Sequence, residues 1–258
     1  MSQWLPWESI THRVAIAGQV TNEQTEAAIA GAQVTITKAP VPFTNGLVNQ
    51  AQLVQLPDEP NPVHLARIQL KDPAATNDQR LAAAQTILNY LQDRRALPLS
   101  RSDSTYSAAD GHFHFLDLPD GEYSLTGSLV GVKRRYAPAQ VTTTVPRHEA
   151  GRIKPAIADI AIPATTLKGR ITTTTEEDEQ QAVTLAEIRI KETGESTFSD
   201  LDGKYALVGL EAADKDAPEK PKYTVLVKTQ GYRSPDPPPT VVFEETGDVK
   251  TLNLNLEK

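Results

Sequence analysis

The sequence predicts an all-β fold of two tandem Greek-key β-sandwiches, the first carrying a long insertion that contains one α-helix. Three observations predict it. The 258 residues repeat the same landmarks in the same order across two halves. Apolar residues inside each half alternate with a period of two, as on a strand with one buried face. Asp-Gly pairs stand between the alternating runs as turns, because Gly accepts positive φ and Asp tolerates it. Many short strands separated by turns imply antiparallel sheets packed face to face.

Taken in order, Ile16-Ala17-Gly18-Gln19-Val20-Thr21 has its counterpart in Leu167-Lys168-Gly169-Arg170-Ile171-Thr172. Gly31-Ala32-Gln33-Val34-Thr35-Ile36 matches Leu185-Ala186-Glu187-Ile188-Arg189-Ile190 in type and alternation. Ser104-Thr105-Tyr106-Ser107 followed by Asp110-Gly111-His112-Phe113 aligns with Ser196-Thr197-Phe198-Ser199 followed by Asp202-Gly203-Lys204-Tyr205. Leu118 then matches Leu210, Tyr123 matches Tyr223 and Gly131 matches Gly231; each half closes on an alternating strand, Ala158/Ile160/Ile162 and Leu252/Leu254/Leu256. The expected organisation is an aromatic arm at 1–12, a first sandwich at 13–163 with its insertion at 39–103, and a second sandwich at 164–258.

The order Gly18-x-Val20, Gly31-Ala32-x-Val34, Asp110-Gly111-x-Phe113-x-Phe115, Leu118-Pro119-x-Gly121-x-Tyr123 and Gly131 resembles the carboxypeptidase regulatory-like domain. The resemblance implies a transthyretin-like sandwich of about seven strands. The second half keeps Gly169-x-Ile171, Asp202-Gly203-x-Tyr205, Leu210, Tyr223 and Gly231-Tyr232, and departs where Glu211 to Lys222 replaces the Leu-Pro-x-Gly turn. Such modules are often non-catalytic spacers and binding surfaces, so the resemblance speaks to fold more than to activity.

Within the insertion, Ala39-Pro40-Val41-Pro42 and Leu56 to Pro62 read as loops and Val63 to Leu70 as a strand. A helix at about 77–96 follows: Asp72-Pro73 and Thr76-Asn77-Asp78 supply start signals, Leu81, Ala84, Leu88 and Leu91 recur at helical spacing, and Pro98 stops it. The apolar stripe of Leu81, Leu88 and Leu91 either packs on its own sandwich or binds a partner, since long insertions in compact domains tend to be functional. Trp4, Leu5 and Trp7 in the arm pose the same choice between folding back and anchoring in a partner pocket.

The composition excludes several classes. An apolar fraction of 39% against 23% charged residues supports a core, which argues against global disorder. Zero cysteine rules out a disulfide scaffold, thiolate metal ligands and a thiol nucleophile. A net charge of −7 leaves no general basic face for nucleic acid. From Ala164 onward there are 12 basic and 18 acidic residues, so most of that charge lies on the second half. No apolar run approaches the roughly 20 residues of a membrane span, so no membrane insertion is expected. Met1 to Glu8 has neither the basic nor the apolar region of a signal peptide, and the expectation is cytoplasmic synthesis, compatible with a place in a released or membrane-attached particle.

Among five histidines, His112 and His114 share one strand face and are the weak candidates for metal ligands. Intradiol dioxygenases, on a related sandwich, hold iron with a His-x-His pair and two tyrosines. Here Phe113 and Phe115 take the core face of an Asp-Gly hairpin, which turns both histidines to solvent, so no metal is expected. The Tyr-Arg-Gly-Ser terminus of transthyretin-like hydrolases is absent from Leu254 to Lys258. No Gly-x-Ser-x-Gly elbow, phosphate loop or His-Glu-x-x-His helix occurs. The four positions after Tyr123 and Tyr223 lack the acid that assists Lys–Asn isopeptide bonds in the similar pilin-type modules. The resulting expectation is a non-enzymatic structural or interaction protein without cofactor, binding protein partners in a larger assembly such as a contractile phage-tail-like injection system. The alternatives are a carbohydrate- or ligand-binding module with a glycan or surface contact, and a metal-dependent enzyme using His112 and His114.

Overall fold

The computed structural model describes residues 12–56, 58–96, 101–132, 134–146, 154–176, 179–213 and 222–257. Their contacts divide the chain into two compact units, 1–21 with 28–127 and 140–160, and 22–27 with 128–139 and 161–258. Short stretches on the first-half side of residue 164, 22–27, 128–139 and 161–163, count with the second unit.

The first copy is a β-sandwich. One sheet joins β4 (His112–Leu116), β1 (Val14–Asn22), β7 (Ala156–Ile157) and β8 (Ile160–Ile162), with β7 and β8 both pairing on β1. The other runs β3 (Ser104–Tyr106), β2 (Gln33–Lys38), β5 (Gly121–Ser128), β6 (Ala139–Val145). Ile16, Val20, Val34, Ile36, Phe113, Phe115, Tyr123, Leu125, Ile160 and Ile162 fill the space between them, the residues that period two places inward.

The second copy repeats this arrangement. β13 (Lys204–Val208), β9 (Thr166–Thr174), β16 (Val249–Thr251) and β17 (Leu254–Leu256) form one sheet, extended by β10 (Gln180–Ala182). β12 (Ser196–Phe198), β11 (Glu187–Ile190), β14 (Lys222–Lys228) and β15 (Thr240–Val242) form the other. In both copies the last strands run parallel to the first, Ile16 opposite Ala156 and Val249 opposite Thr166, as a Greek-key return requires.

The repeated residues make repeated bonds. A Cβ on Gly18 would lie 2.1 Å from the carbonyl oxygen of Ala158, and one on Gly169 lies 1.9 Å from that of Leu252. The closing strand thus crosses where only glycine fits. Ser107 Oγ accepts from Ala32 N at 2.9 Å and donates to Ile29 O at 2.6 Å; Ser199 Oγ accepts from Ala186 N at 2.9 Å and donates to Val183 O at 2.7 Å. Tyr123 donates to Pro119 O at 2.9 Å and Tyr223 to Glu211 O at 2.8 Å, the same corner closed over loops of different length. One position departs: Leu185, where the first copy has Gly31, holds φ at +56° beside +70° for the glycine.

The insertion corrects the sequence reading. It holds three helices, α1 (Val41–Gln52), α2 (Asn61–Lys71) and α3 (Asn77–Asp93), where one helix at 77–96, two loops and a strand are expected. Pro42 and Pro62 sit in the first turns of α1 and α2, where a missing N–H costs nothing, so the prolines that read as loop signals are helix starts. Val63, Ala66 and Leu70, read as a strand, are buried at helical spacing. α3 opens on a capping box, Thr76 Oγ1 accepting from Gln79 N at 3.3 Å and Gln79 Oε1 from Thr76 N at 2.8 Å. Leu81, Leu88 and Leu91 are fully buried, so this stripe is used inside the first unit and presents no face to a partner.

Two ion pairs hold the helical layer. Arg67 binds Glu59 through Nε at 2.6 Å and Nη2 at 2.5 Å, and also donates to Val54 O near the end of α1. Arg101 binds the fully buried Asp103 through Nε at 2.9 Å and Nη2 at 2.6 Å, while its Nη1 reaches Asn89 and Gln92 of α3. Gln85 of α3 donates to Ile36 O at 2.7 Å and Asp103 Oδ2 at 3.0 Å, which fastens the helix to β2.

Candidate functional site

The first unit has a cleft of about 520 Å³ where α1 overhangs the end of the sandwich. Phe43, Leu47, Phe115 and Leu118 make its apolar floor; His12, His114, Asp117, Arg101, Ser104 and Thr105 add polar groups. The floor exists because Phe43 packs edge-on against Tyr123 at 5.7 Å between ring centroids. At the mouth, His12 Nδ1 lies 2.5 Å from Asp117 Oδ2, and Asp117 Oδ1 accepts from Arg13 N at 2.7 Å. That backbone donor first, and His12 second, hold the Asp117 carboxyl below the usual carboxylate range.

A His–Asp pair beside hydroxyls invites comparison with a hydrolytic triad, but the Ser104 hydroxyl is engaged elsewhere. Ser104 Oγ is engaged by Gln33 Nε2 at 3.1 Å and Thr35 Oγ1 at 3.5 Å, and Arg101 is committed to Asp103. The arrangement can bind a small polar molecule over an apolar floor.

His112 and His114 both point outward from β4, opposite Gln19 and Ala17 on β1. His112 Nδ1 lies 3.1 Å from Asp110 Oδ2, and the His112 backbone N–H is the chief group that holds the Asp110 carboxyl low. His114 lines the cleft instead. Among the described residues no group of three His, Cys, Asp or Glu is arranged to hold a metal ion. Trp4, Leu5 and Trp7 lie outside the described residues. Among the described residues no helix is long and apolar enough to cross a membrane.

The second unit carries a comparable hollow of about 530 Å³ on the outer face of β9 and β13, lined by Phe198, Lys168, Arg170, Lys204, Asp200 and Asn253. Phe198 is 59% exposed, and Tyr106, its counterpart in the first copy, is 57% exposed. Each copy thus sets one aromatic of this strand at solvent. Its signal was present: the third residue of Ser-Thr-Tyr-Ser and Ser-Thr-Phe-Ser is aromatic in both copies, on the face opposite the buried serine. The cleft of the first unit had no such signal, because it depends on α1.

No protein-family model matches the chain, and no curated protein does. Among solved structures it is similar to the Bacillus anthracis TIE protein at 12% identity and a TM-score of 0.33, over 94% of this chain and 34% of that one. It spans about a third of that protein's length. The minor pilin of Streptococcus agalactiae follows at 11% identity and 0.28, over 94% and 95% of the two chains. The shaft pilin of Lactobacillus rhamnosus GG follows at 10% and 0.32, over 96% and 99%. Scores of this size transfer nothing, and the fold stands on the strand order above.

Proposed function

We propose that the chain is a non-enzymatic structural or interaction protein whose tandem sandwiches are of the carboxypeptidase regulatory-like kind. One observation carries this reading. The second copy reproduces the skeleton of the first nearly bond for bond, glycine crossing, buried serine and tyrosine corner alike, while the copies differ in loops and surface. Such conservation of frame with change of surface suits modules that present contacts. Its proposed setting is an accessory or connecting component of a large assembly, a contractile phage-tail-like injection system by analogy, made in the cytoplasm, with Trp4, Leu5 and Trp7 meeting a protein partner. Affinity capture from the native host with mass spectrometry tests it. Stoichiometric recovery of sheath, baseplate or cap proteins supports the reading; a chain that elutes alone from native lysate overturns it.

The exposed Tyr106 and Phe198 favour a second reading, a carbohydrate- or ligand-binding module, since aromatic faces at solvent suit apolar sugar faces. Glycan binding that survives deletion of residues 1–12 and is lost in Phe198→Ala supports it; binding unchanged by Phe198→Ala removes it.

A further inference from the structure

Edge strands are where a sheet can accept another chain, and native sheets guard them with short length, charge or proline. Among the described residues every edge but one is guarded. β3, β12 and β15 have three residues each. β4 has five, two of them histidine, and its pairing with β1 is irregular at Val14. β13 has five and opens on Lys204. β6 has seven, Ala139-Gln140-Val141-Thr142-Thr143-Thr144-Val145, without a charge or a proline, and it ends its sheet: among the described residues only β5 pairs with it. The contrast with β15, the strand in the same place of the second copy, is one of length: β15 has three residues against the seven of β6.

We propose that the β6 edge pairs antiparallel with β6 of a second copy, about a twofold axis through Thr142. The faces of β6 limit the register. Gln140 donates to Thr37 Oγ1 at 3.3 Å and Thr142 Oγ1 lies 3.2 Å from Ser124 Oγ, both on the outer side; Thr143 donates to Ile157 O at 3.0 Å, toward the other sheet. Antiparallel partners must share a face, so the residue numbers across the pair sum to an even number and a twofold axis passes through a residue. An axis at Thr142 uses all seven residues. It sets Ala139 against Val145, Gln140 against Thr144, Val141 against Thr143 and Thr142 against itself. Inner faces inner and outer faces outer in every pair, no charge meets a like charge, and threonines lie opposite threonines. Pro138 and Pro146 bracket the strand and end the pairing at both sides, because neither has an N–H to donate. The helical insertion joins β2 to β3, at the far side of the sheet in the order β3-β2-β5-β6.

The absence of cysteine makes the test exact in register. Opposed residues in an antiparallel pair have Cα atoms about 4.5 to 5.5 Å apart, within disulfide range, and residues two positions off do not. Purified full-length Thr142→Cys is expected to form a covalent dimer under mild oxidation. Gln140→Cys and Thr144→Cys are expected to cross-link when mixed but not alone, and Val241→Cys on β15 not at all. Sedimentation of the unmodified protein is expected to show a concentration-dependent rise from 28.1 kDa toward twice that mass. Thr142→Lys places two ammonium groups in opposition and is expected to weaken the association about tenfold with circular dichroism unchanged. A 28.1 kDa species at every concentration, cross-linking of Thr142→Cys no faster than of Val241→Cys, or a dimer undisturbed by Thr142→Lys overturns the proposal. These measurements use the pure chain, so their failure is separate from failure to find assembly partners in the host.

Discussion

The two copies differ most at one connection. Between β11 and β12 the chain turns in five residues, Lys191 to Glu195, with Gly194 at φ +78°; between β2 and β3 it travels through three helices. Yet the strands on either side keep the same bonds, Ile36 N to Asp103 O at 2.9 Å in one copy and Ile190 N to Glu195 O at 2.8 Å in the other. A hairpin whose ends remain registered tolerates a long excursion because closing a longer loop adds little entropy, about 0.6 kcal/mol per doubling of length. The cost is chemical. Where the short turn leaves Glu195 one-third exposed, the insertion buries its counterpart Asp103 completely and must supply Arg101 to match.

That difference can be broken at Asp103. Asp103→Ala strips the partner from a nearly buried guanidinium and is expected to destabilise the first unit by about 3 kcal/mol. Glu195→Ala, facing a one-third exposed Arg135, is expected to cost less than about 1 kcal/mol. Urea unfolding followed by hydrogen exchange resolves which unit responds; equal losses would contradict the contrast. Leu88→Ala, which empties a buried site in α3, is expected to cost about 3 kcal/mol in the first unit alone.

The shared skeleton is sharpened by paired substitutions. Gly18→Ala and Gly169→Ala drive a Cβ into a backbone carbonyl in each copy and are expected to cost about 2 kcal/mol or more apiece. Ser107→Ala and Ser199→Ala each remove a buried hydroxyl that serves two backbone groups, with about 1 to 2 kcal/mol expected and nearly the same value for both. A large inequality within either pair would show that the copies no longer carry load alike.

The smallest effect concerns pH. The Arg67 hydrogen bonds, against the opposing effect of burial, hold Glu59 below its ordinary value of 4.5. A depressed carboxylate contributes stability that is present above the unfolded value and lost as pH falls through the folded one. The first unit should therefore weaken as pH drops below about 4.5, and Glu59→Gln should flatten that part of its profile, read by thermal unfolding against pH. An unchanged slope would mean the pair has no linkage to folding.

Much of this molecule was legible before any coordinates. Gly18 and Gly169, the Asp-Gly turns and the serine of Ser107 and Ser199 are local signals, and they stand out because they occur twice. The insertion was less legible. Pro40, Pro42, Pro60 and Pro62 suit both a loop and a helix start, and Val63 to Leu70 is too short for its period to decide by itself. The cleft followed that error, since part of its floor is a helix that opens with two prolines.

By itself, then, the sequence determined the repeated sandwich, because alternation and turn chemistry act within a few residues and were present in duplicate. Only the tertiary structure decided what Leu81, Leu88 and Leu91 touch, how Asp103 is neutralised, and which strand is left at an edge. Those depend on neighbours distant in the chain: an apolar stripe has the same spacing whether it meets its own sheet or another molecule, and AQVTTTV is an edge only because the strand order of the described residues pairs it with β5 alone.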